Sequence, residues 1–242
     1  MTDLDLSAKG YLIDLDGTLV SGKHVLPDAR WVLEETTARH VILSNNAEHT
    51  PAQLARALKS IGLDVPAEKI VLAGTCAVDE IAAAYPGCGL MLVGSPALRA
   101  YARAKGLRLD AARIEIVLAA RDCGFTYAKL AAAAAALHQG AKLYVAAPDL
   151  SHPGLDGRPV PETGALAAAI SAASGASIHT VVGKPEKSMF EIGRRVLGVE
   201  FSDIVMIGDN PDTDGLGAMR LGMQFHRVRD GYIRSRMQVA AE

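Results

Sequence analysis

Short apolar runs alternate along the chain with longer amphipathic stretches. Tyr11–Leu15, Val41–Leu43 and Ile70–Ala73 are continuous and compact, as strands covered on both faces are. Asp28 stands where a cap would open a helix from Ala29 to about Arg39, with Trp31, Val32 and Leu33 supplying its apolar faces. Thr50-Pro51 predicts a second helix start, and Gly62 predicts its end. Further strand-like runs follow at Leu90–Val93, Ile114–Ala119 and Leu143–Ala147. Helical stretches lie near Pro96–Lys105, Tyr127–Gln139 and Glu162–Ser174. Thr180–Val182, a helix from Lys184 to about Leu197, and a strand at Ile204–Ile207 complete the series. This alternation predicts an α/β fold with a mostly parallel sheet.

Four polar segments punctuate the pattern: Asp14-Leu15-Asp16-Gly17-Thr18, Ser44-Asn45-Asn46, Gly183-Lys184-Pro185, and Gly208-Asp209-Asn210 running to Thr213-Asp214. Each by itself is also an ordinary turn or helix cap. Their placement is what separates them from turns. Asp14, Asp16, Ser44 and Asp209 fall at or just beyond strand C-termini, where open parallel sheets collect their ligands. The stretch from about Cys76 to His179 carries none of the four and is too long for a loop. The expected organisation is a core of residues 1–75 and 181–242 with an inserted α/β domain at 76–180.

Composition narrows the classes. Of 242 residues, 50% are hydrophobic and 21% charged, enough for a sizeable core. A net charge of −2 gives no general attraction to nucleic acid or to an anionic membrane surface. The three cysteines, Cys76, Cys88 and Cys123, lack metal-ligand spacing and are expected to be small buried hydrophobes. Met1–Gly10 is acidic and polar without an apolar signal core, and no run reaches the roughly 18 apolar residues of a membrane span. The Ala131–Ala136 tract, flanked by Lys129 and His138, suits a packed helix. A cytoplasmic protein is expected.

The four segments describe phosphoryl transfer, which needs an in-line nucleophile, neutralisation of phosphate oxygens and a proton donor for the leaving alcohol. Neighbouring carboxylates repel unless a divalent cation lies between them, and carboxylate, carbonyl and water ligands suit Mg2+. Asp14 is assigned as the nucleophile, with one oxygen also on the metal. Asp16 is the general acid and later the base, its carbonyl also reaching the metal. Asp209 is the main metal carboxylate from the far strand, and Asp214 supports the metal's waters or Lys184. Ser44, Asn45 and Asn46 form the phosphate loop, the first two offering a hydroxyl and an amide to phosphate oxygens. Lys184 supplies a point charge that neutralises phosphate and restrains Asp14. Gly17 and Gly208 fit places of sharp turning or close approach. His24, His49 and Trp31 read as ordinary surface, turn or core residues.

With these residues in place, the chain resembles the haloacid-dehalogenase-like superfamily of aspartate-nucleophile phosphatases, and its four segments look like that superfamily's four motifs. Only a short segment separates Asp16 from Ser44, so the insertion lies between Ser44 and Lys184. That arrangement is similar to subfamily IIA, the branch of the 4-nitrophenyl phosphatase, N-acetylglucosamine-operon and pyridoxal phosphatase families. Further similarity covers Phe125-Thr126-Tyr127-Ala128-Lys129-Leu130, Pro148-Asp149 through Asp156-Gly157, and Gly164-Ala165-Leu166. The retained Asp16 separates the chain from haloacid dehalogenases. Ser44 stands where the family commonly has threonine, Arg121-Asp122-Cys123-Gly124 departs from a Gly-Leu-Asp-rich stretch, and Ala146-Ala147 replaces a usual Thr-Asn.

The resemblance implies a Rossmann-like core with a smaller α/β cap, and a Mg2+-dependent phosphomonoester hydrolase working through an aspartyl-phosphate. It also makes Ser151–Gly157 resemble a specificity loop, on which His152 is either a contact to the leaving group or an ordinary solvent-exposed residue, and a homodimer through the cap is in keeping with it. The substrate class is a small phosphorylated metabolite: pyridoxal phosphate, a sugar or polyol phosphate, phosphoglycolate or a nucleoside monophosphate. Two other readings use the same residues. One is a phosphotransferase with an alcohol acceptor; the other is a non-catalytic phosphate-ligand-binding protein, which has little need for adjacent carboxylates beside an anion.

Overall fold

The computed structural model describes residues 4–154 and 158–234. The chain forms two compact units, one made of the N-terminal segment to Ser44, Ala52–Val71 and everything from Lys184 on, the other of Asn45–Pro51 and Leu72–Gly183.

The first unit is built on a five-stranded sheet in the order Gln224–Arg227, Ile204–Gly208, Gly10–Ile13, His40–Ser44, Ile70–Leu72. Gly10–Ile13 pairs in parallel with both its neighbours, and Ile204–Gly208 pairs in parallel with Gln224–Arg227. Four strands, all but Gln224–Arg227, are buried along their whole length, which explains why they read as apolar runs. Helices Ala29–Glu35, Pro51–Ser60, Lys187–Leu197 and Leu216–Arg220 supply the connections. The strand order reverses between Gly10–Ile13 and Ile204–Gly208: from the first strand the chain moves outward one way, and from the fourth it moves outward the other. Such a switch point leaves a crevice at the carboxyl ends of the two strands. Asp14 and Asp209 follow those two ends directly.

The second unit is a four-stranded parallel sheet in the order Ile178–Val181, Lys142–Val145, Ile116–Ala119, Leu90–Val93. Helices Ala73–Ala84, Pro96–Ala104, Tyr127–His138 and Thr163–Ser174 belong to it, with a small antiparallel hairpin of Ser151–Pro153 and Pro159–Pro161. The alanine tract does pack: Ala133, Ala136 and Leu137 join Val117, Val145 and Ile170 in one buried cluster. Ser95 and Thr126 cap the helices that follow them, accepting from the Leu98 N–H at 3.1 Å and the Lys129 N–H at 3.3 Å.

Four expectations need correction. Asp28 caps nothing; its buried carboxylate accepts the backbone N–H groups of Ile233 and Arg234, both at 2.9 Å, and the Arg234 guanidinium at 3.0 Å. The helix after it stops at Glu35 because the backbone leaves the helical angles at Thr36 and turns left-handed at Ala38, φ +66°. Ala73 does not end a strand but opens the helix Ala73–Ala84, the strand closing at Leu72. Cys123 is exposed, while Cys76 and Cys88 are buried. Among the described residues, no helix is long and apolar enough to cross a membrane.

Candidate active site

Asp14 begins where the first strand's register ends. Ile13 is level with Ile207, and the Asp14 N–H donates to the Ile207 carbonyl at 2.8 Å, so the nucleophile candidate is pinned by the neighbouring strand. Its side chain is buried and doubly held: Oδ1 lies 2.6 Å from Lys184 Nζ, and Oδ2 accepts from the buried Thr18 hydroxyl at 3.1 Å. The motif placed Thr18 beside Asp14, but its part in fixing the carboxylate was not assigned from the sequence.

Between Asp14 and Thr18 the chain makes a tight turn, with Leu19 and Val20 N–H groups both donating to the Leu15 carbonyl. Gly17 adopts φ +82°, a left-handed angle that favours glycine, and a Cβ there would stand 2.2 Å from Asp209 Oδ2. Asp16 is exposed on this turn.

Asp209 and Asp214 come from the fourth strand and the wide helical turn Pro211–Gly215 after it. Asn210 caps that turn, accepting from the Asp212 N–H at 2.9 Å. The turn leaves Asp212 exposed and carries Asp214 fully inside. Asp214 Oδ1 lies 2.7 Å from Lys184 Nζ, and its Oδ2 accepts the Asn210 N–H at 3.3 Å. A Cβ on Gly208 would fall 2.2 Å from that same Oδ2, so Asp214 occupies the space that glycine leaves. The sequence reading set Asp214 either on the metal's waters or on Lys184; the Lys184 contact is present.

Electrostatics set the character of this pocket. Asp14, Asp209 and Asp214 each offer a carboxylate oxygen, all within 4.8 Å of one another. One buried ammonium faces three carboxylates. Burial alone would lower Lys184, but Asp14 and Asp214 outweigh it and hold it well above the ordinary lysine range. Burial, then the negative charge of Asp14, push Asp209 up to about 6. Burial likewise raises Asp214 to about 7, against the pull of Lys184. Acids pushed up in this way mark excess negative charge in a poorly solvated place. An oxygen-rich set of this kind fits a hard divalent cation, with half-buried Asp209 the one carboxylate of the three that Lys184 does not bond.

The remaining candidates are placed as follows. Ser44 is buried at the end of its strand. In the second unit, the Asn45 amide donates to Asp149 Oδ2 at 2.7 Å, a partner the sequence did not reveal. Asn46 Oδ1 accepts the N–H groups of Glu48 and His49 at 3.1 and 2.9 Å, which shapes the loop entering the next helix. His152 Nδ1 lies 2.7 Å from Glu162 Oε1. Asp156 and Gly157 lie outside the described residues. His24 is exposed, and the Arg234 guanidinium stacks over Trp31 at 5.0 Å.

Comparison with known proteins agrees with this geometry. Residues 11–108 match the family model of haloacid dehalogenase-like hydrolases, and 181–241 match a HAD-hydrolase-like model. An acid sugar phosphatase from Staphylococcus aureus is 30% identical over 227 residues, 92% of this chain and 87% of that protein. The 4-nitrophenylphosphatase of Thermotoga maritima superposes with a TM-score of 0.86 at 26% identity, covering 98% of this chain and 91% of that one. A glycerol phosphate phosphatase from Mycobacterium tuberculosis, solved in complex with calcium, gives 0.83 at 28% identity over 93% and 67%. The switch-point carboxylates, the buried lysine and these relatives together establish that the chain belongs to the haloacid dehalogenase-like hydrolases, in the branch that holds these phosphatases.

Proposed function

We propose that this protein hydrolyses small phosphomonoesters through an aspartyl-phosphate on Asp14, with Mg2+ as its metal. The observation that carries the reading is the buried arrangement of Asp14, Asp209 and Asp214 around one ammonium. Mg2+ between the Asp14 and Asp209 carboxylates would offset their charge and bind a phosphate oxygen. Lys184 keeps one Asp14 oxygen oriented and supplies positive charge for the incoming phosphate. The other oxygen, steered by Thr18, is the one free to attack. Attack forms the Asp14 O–P bond as the ester P–O bond breaks, and Asp16 gives its proton to the departing alcohol. Asp16 then takes a proton from water, whose oxygen bonds to phosphorus while the Asp14 O–P bond breaks. Asp14 and Asp16 end as they began.

The relatives' names, acid sugar phosphatase and glycerol phosphate phosphatase, support a small phosphorylated sugar or polyol as substrate class. We assign the inserted residues 76–180 the role of a cap that chooses the organic part, with His152 among its contacts. The test is phosphate release from a panel of phosphomonoesters, with and without Mg2+, beside Asp14→Asn. Mg2+-dependent release that vanishes in the variant is the expected result. Turnover above about a percent of wild type in Asp14→Asn, a barrier raised by less than about 2.7 kcal/mol, would remove Asp14 from its role.

A further inference from the structure

The inserted unit holds an open cavity of about 470 Å3 bounded by Gly94, Arg99, Arg103, Asp122, Gly124 and Lys129. The proposed hydrolysis uses none of these residues. We infer that this cavity is a second binding site, one for the phosphoryl group of inorganic phosphate or of a small phosphate ester.

Its position is the first argument. Gly94 follows the strand Leu90–Val93 directly, and Asp122 lies three residues beyond the strand Ile116–Ala119. The cavity therefore opens at the carboxyl ends of two adjacent parallel strands, between the helices that begin at Pro96 and Tyr127. Charge is the second. Lys129 Nζ and Asp122 satisfy each other at 2.6 Å, and Asp122 also accepts the Gly124 N–H at 2.9 Å. Arg99 and Arg103 are left over. They are one helical turn apart on the same face, and among the described residues neither has a carboxylate partner. Elsewhere on the surface Arg194 bridges Glu191 and Glu200, and Lys105 meets Asp79.

Like charges at this spacing destabilise a helix, and Arg99 also sits in the half of it where the dipole opposes a cation. An anion held between the two guanidiniums relieves both costs. One fork satisfies the two oxygens of a carboxylate, whereas a tetrahedral phosphoryl dianion accepts from two forks at once. The volume exceeds that of bare phosphate, so an ester fits, and Asp122 can accept from a hydroxyl on its organic part.

Amide chemical shifts of the full chain, titrated with inorganic phosphate and separately with methylphosphonate, test this against chloride at matched ionic strength. Saturable shifts of the Gly94 and Gly124 N–H groups are expected at concentrations on the order of millimolar. Arg99→Ala combined with Arg103→Ala should weaken them about tenfold or more while the melting temperature in chloride holds or rises, since the repulsion is gone. The stronger of the two probes shows whether the site takes bare phosphate or a phosphoryl group that carries an organic substituent. Equal shifts with chloride, no saturation, or shifts that survive in the double variant would overturn the site.

Discussion

Lys184 Nζ lies 2.6 Å from Asp14 Oδ1, and both side chains are more than nine-tenths buried. The same ammonium reaches Asp214 at 2.7 Å, so one cation restrains two carboxylates from opposite sides of the switch point. Removing it leaves uncompensated charge in a dry pocket. Lys184→Met is expected to cost about 3–5 kcal/mol of folding stability in the absence of metal, measured by urea denaturation. Added Mg2+ should return a larger share of stability to this variant than to wild type, because it faces more unpaired carboxylate. Equal Mg2+ responses would mean that lysine and metal act on separate groups.

A second expectation concerns pH. Asp209 is raised to about 6 and Asp214 to about 7, against about 3.9 in an unfolded chain. A raised carboxylate favours folding while it is protonated, so its contribution is complete below the unfolded value. It is lost as pH climbs through 6 and 7. Mg2+ binds only the ionised forms, and protons compete with it. The melting-temperature gain on adding saturating Mg2+ should therefore grow between about pH 5 and 8. Asp209→Asn should flatten that rise. A gain independent of pH would show that these carboxylates do not hold the ion.

Gly208 offers a substitution that touches the site without changing any charge. A Cβ there would meet Asp214 Oδ2 at 2.2 Å, and that carboxylate has Lys184 on its other side. Gly208→Ala should swing Asp214 off the lysine. The expected effect is a loss of about ten- to hundred-fold in Mg2+ affinity by calorimetry, the usual range when a supporting partner is displaced. Retained affinity would place Asp214 outside the metal's support.

The features that were legible in the sequence share a physical reason. Parallel strands covered on both faces must be continuous apolar runs, and Gly10–Ile13, His40–Ser44 and Ile204–Gly208 announce themselves that way. Acidic residues right after such runs fall at the carboxyl edge, which made Asp14 and Asp209 visible. Gln224–Arg227 was not visible, because an edge strand of Gln, Phe, His and Arg has no apolar signature. The hairpin of Val20–Ser21 and His24–Val25 is too short to show a period. Asp28 shows the deeper difficulty. Its local surroundings read as a helix cap, yet its partners stand more than 200 residues along the chain, at a sequence separation of 205 for Ile233. Local propensity carries no information about a contact of that range.

The bond between Asn45 and Asp149 is the same kind of long-range contact, spanning 104 residues within the second unit at 2.7 Å. Asn45 belongs to the segment proposed to meet phosphate oxygens, so its amide must be aimed by something rigid. Gly183 is packed against it as well, since a Cβ there would approach Asn45 Oδ1 to 2.8 Å. A hydrogen bond to a carboxylate in a half-buried setting contributes more than a neutral one. Asn45→Ala and Asp149→Ala should therefore be non-additive in unfolding free energy, with a coupling of about 0.5–3 kcal/mol in a double-mutant cycle. The same pair separates aiming from binding. If Asp149 aims the amide, Asp149→Ala should raise KM for phosphomonoesters in wild type and have little further effect once Asn45 is alanine. An equal rise of KM in both backgrounds would show that Asp149 acts on the substrate without Asn45.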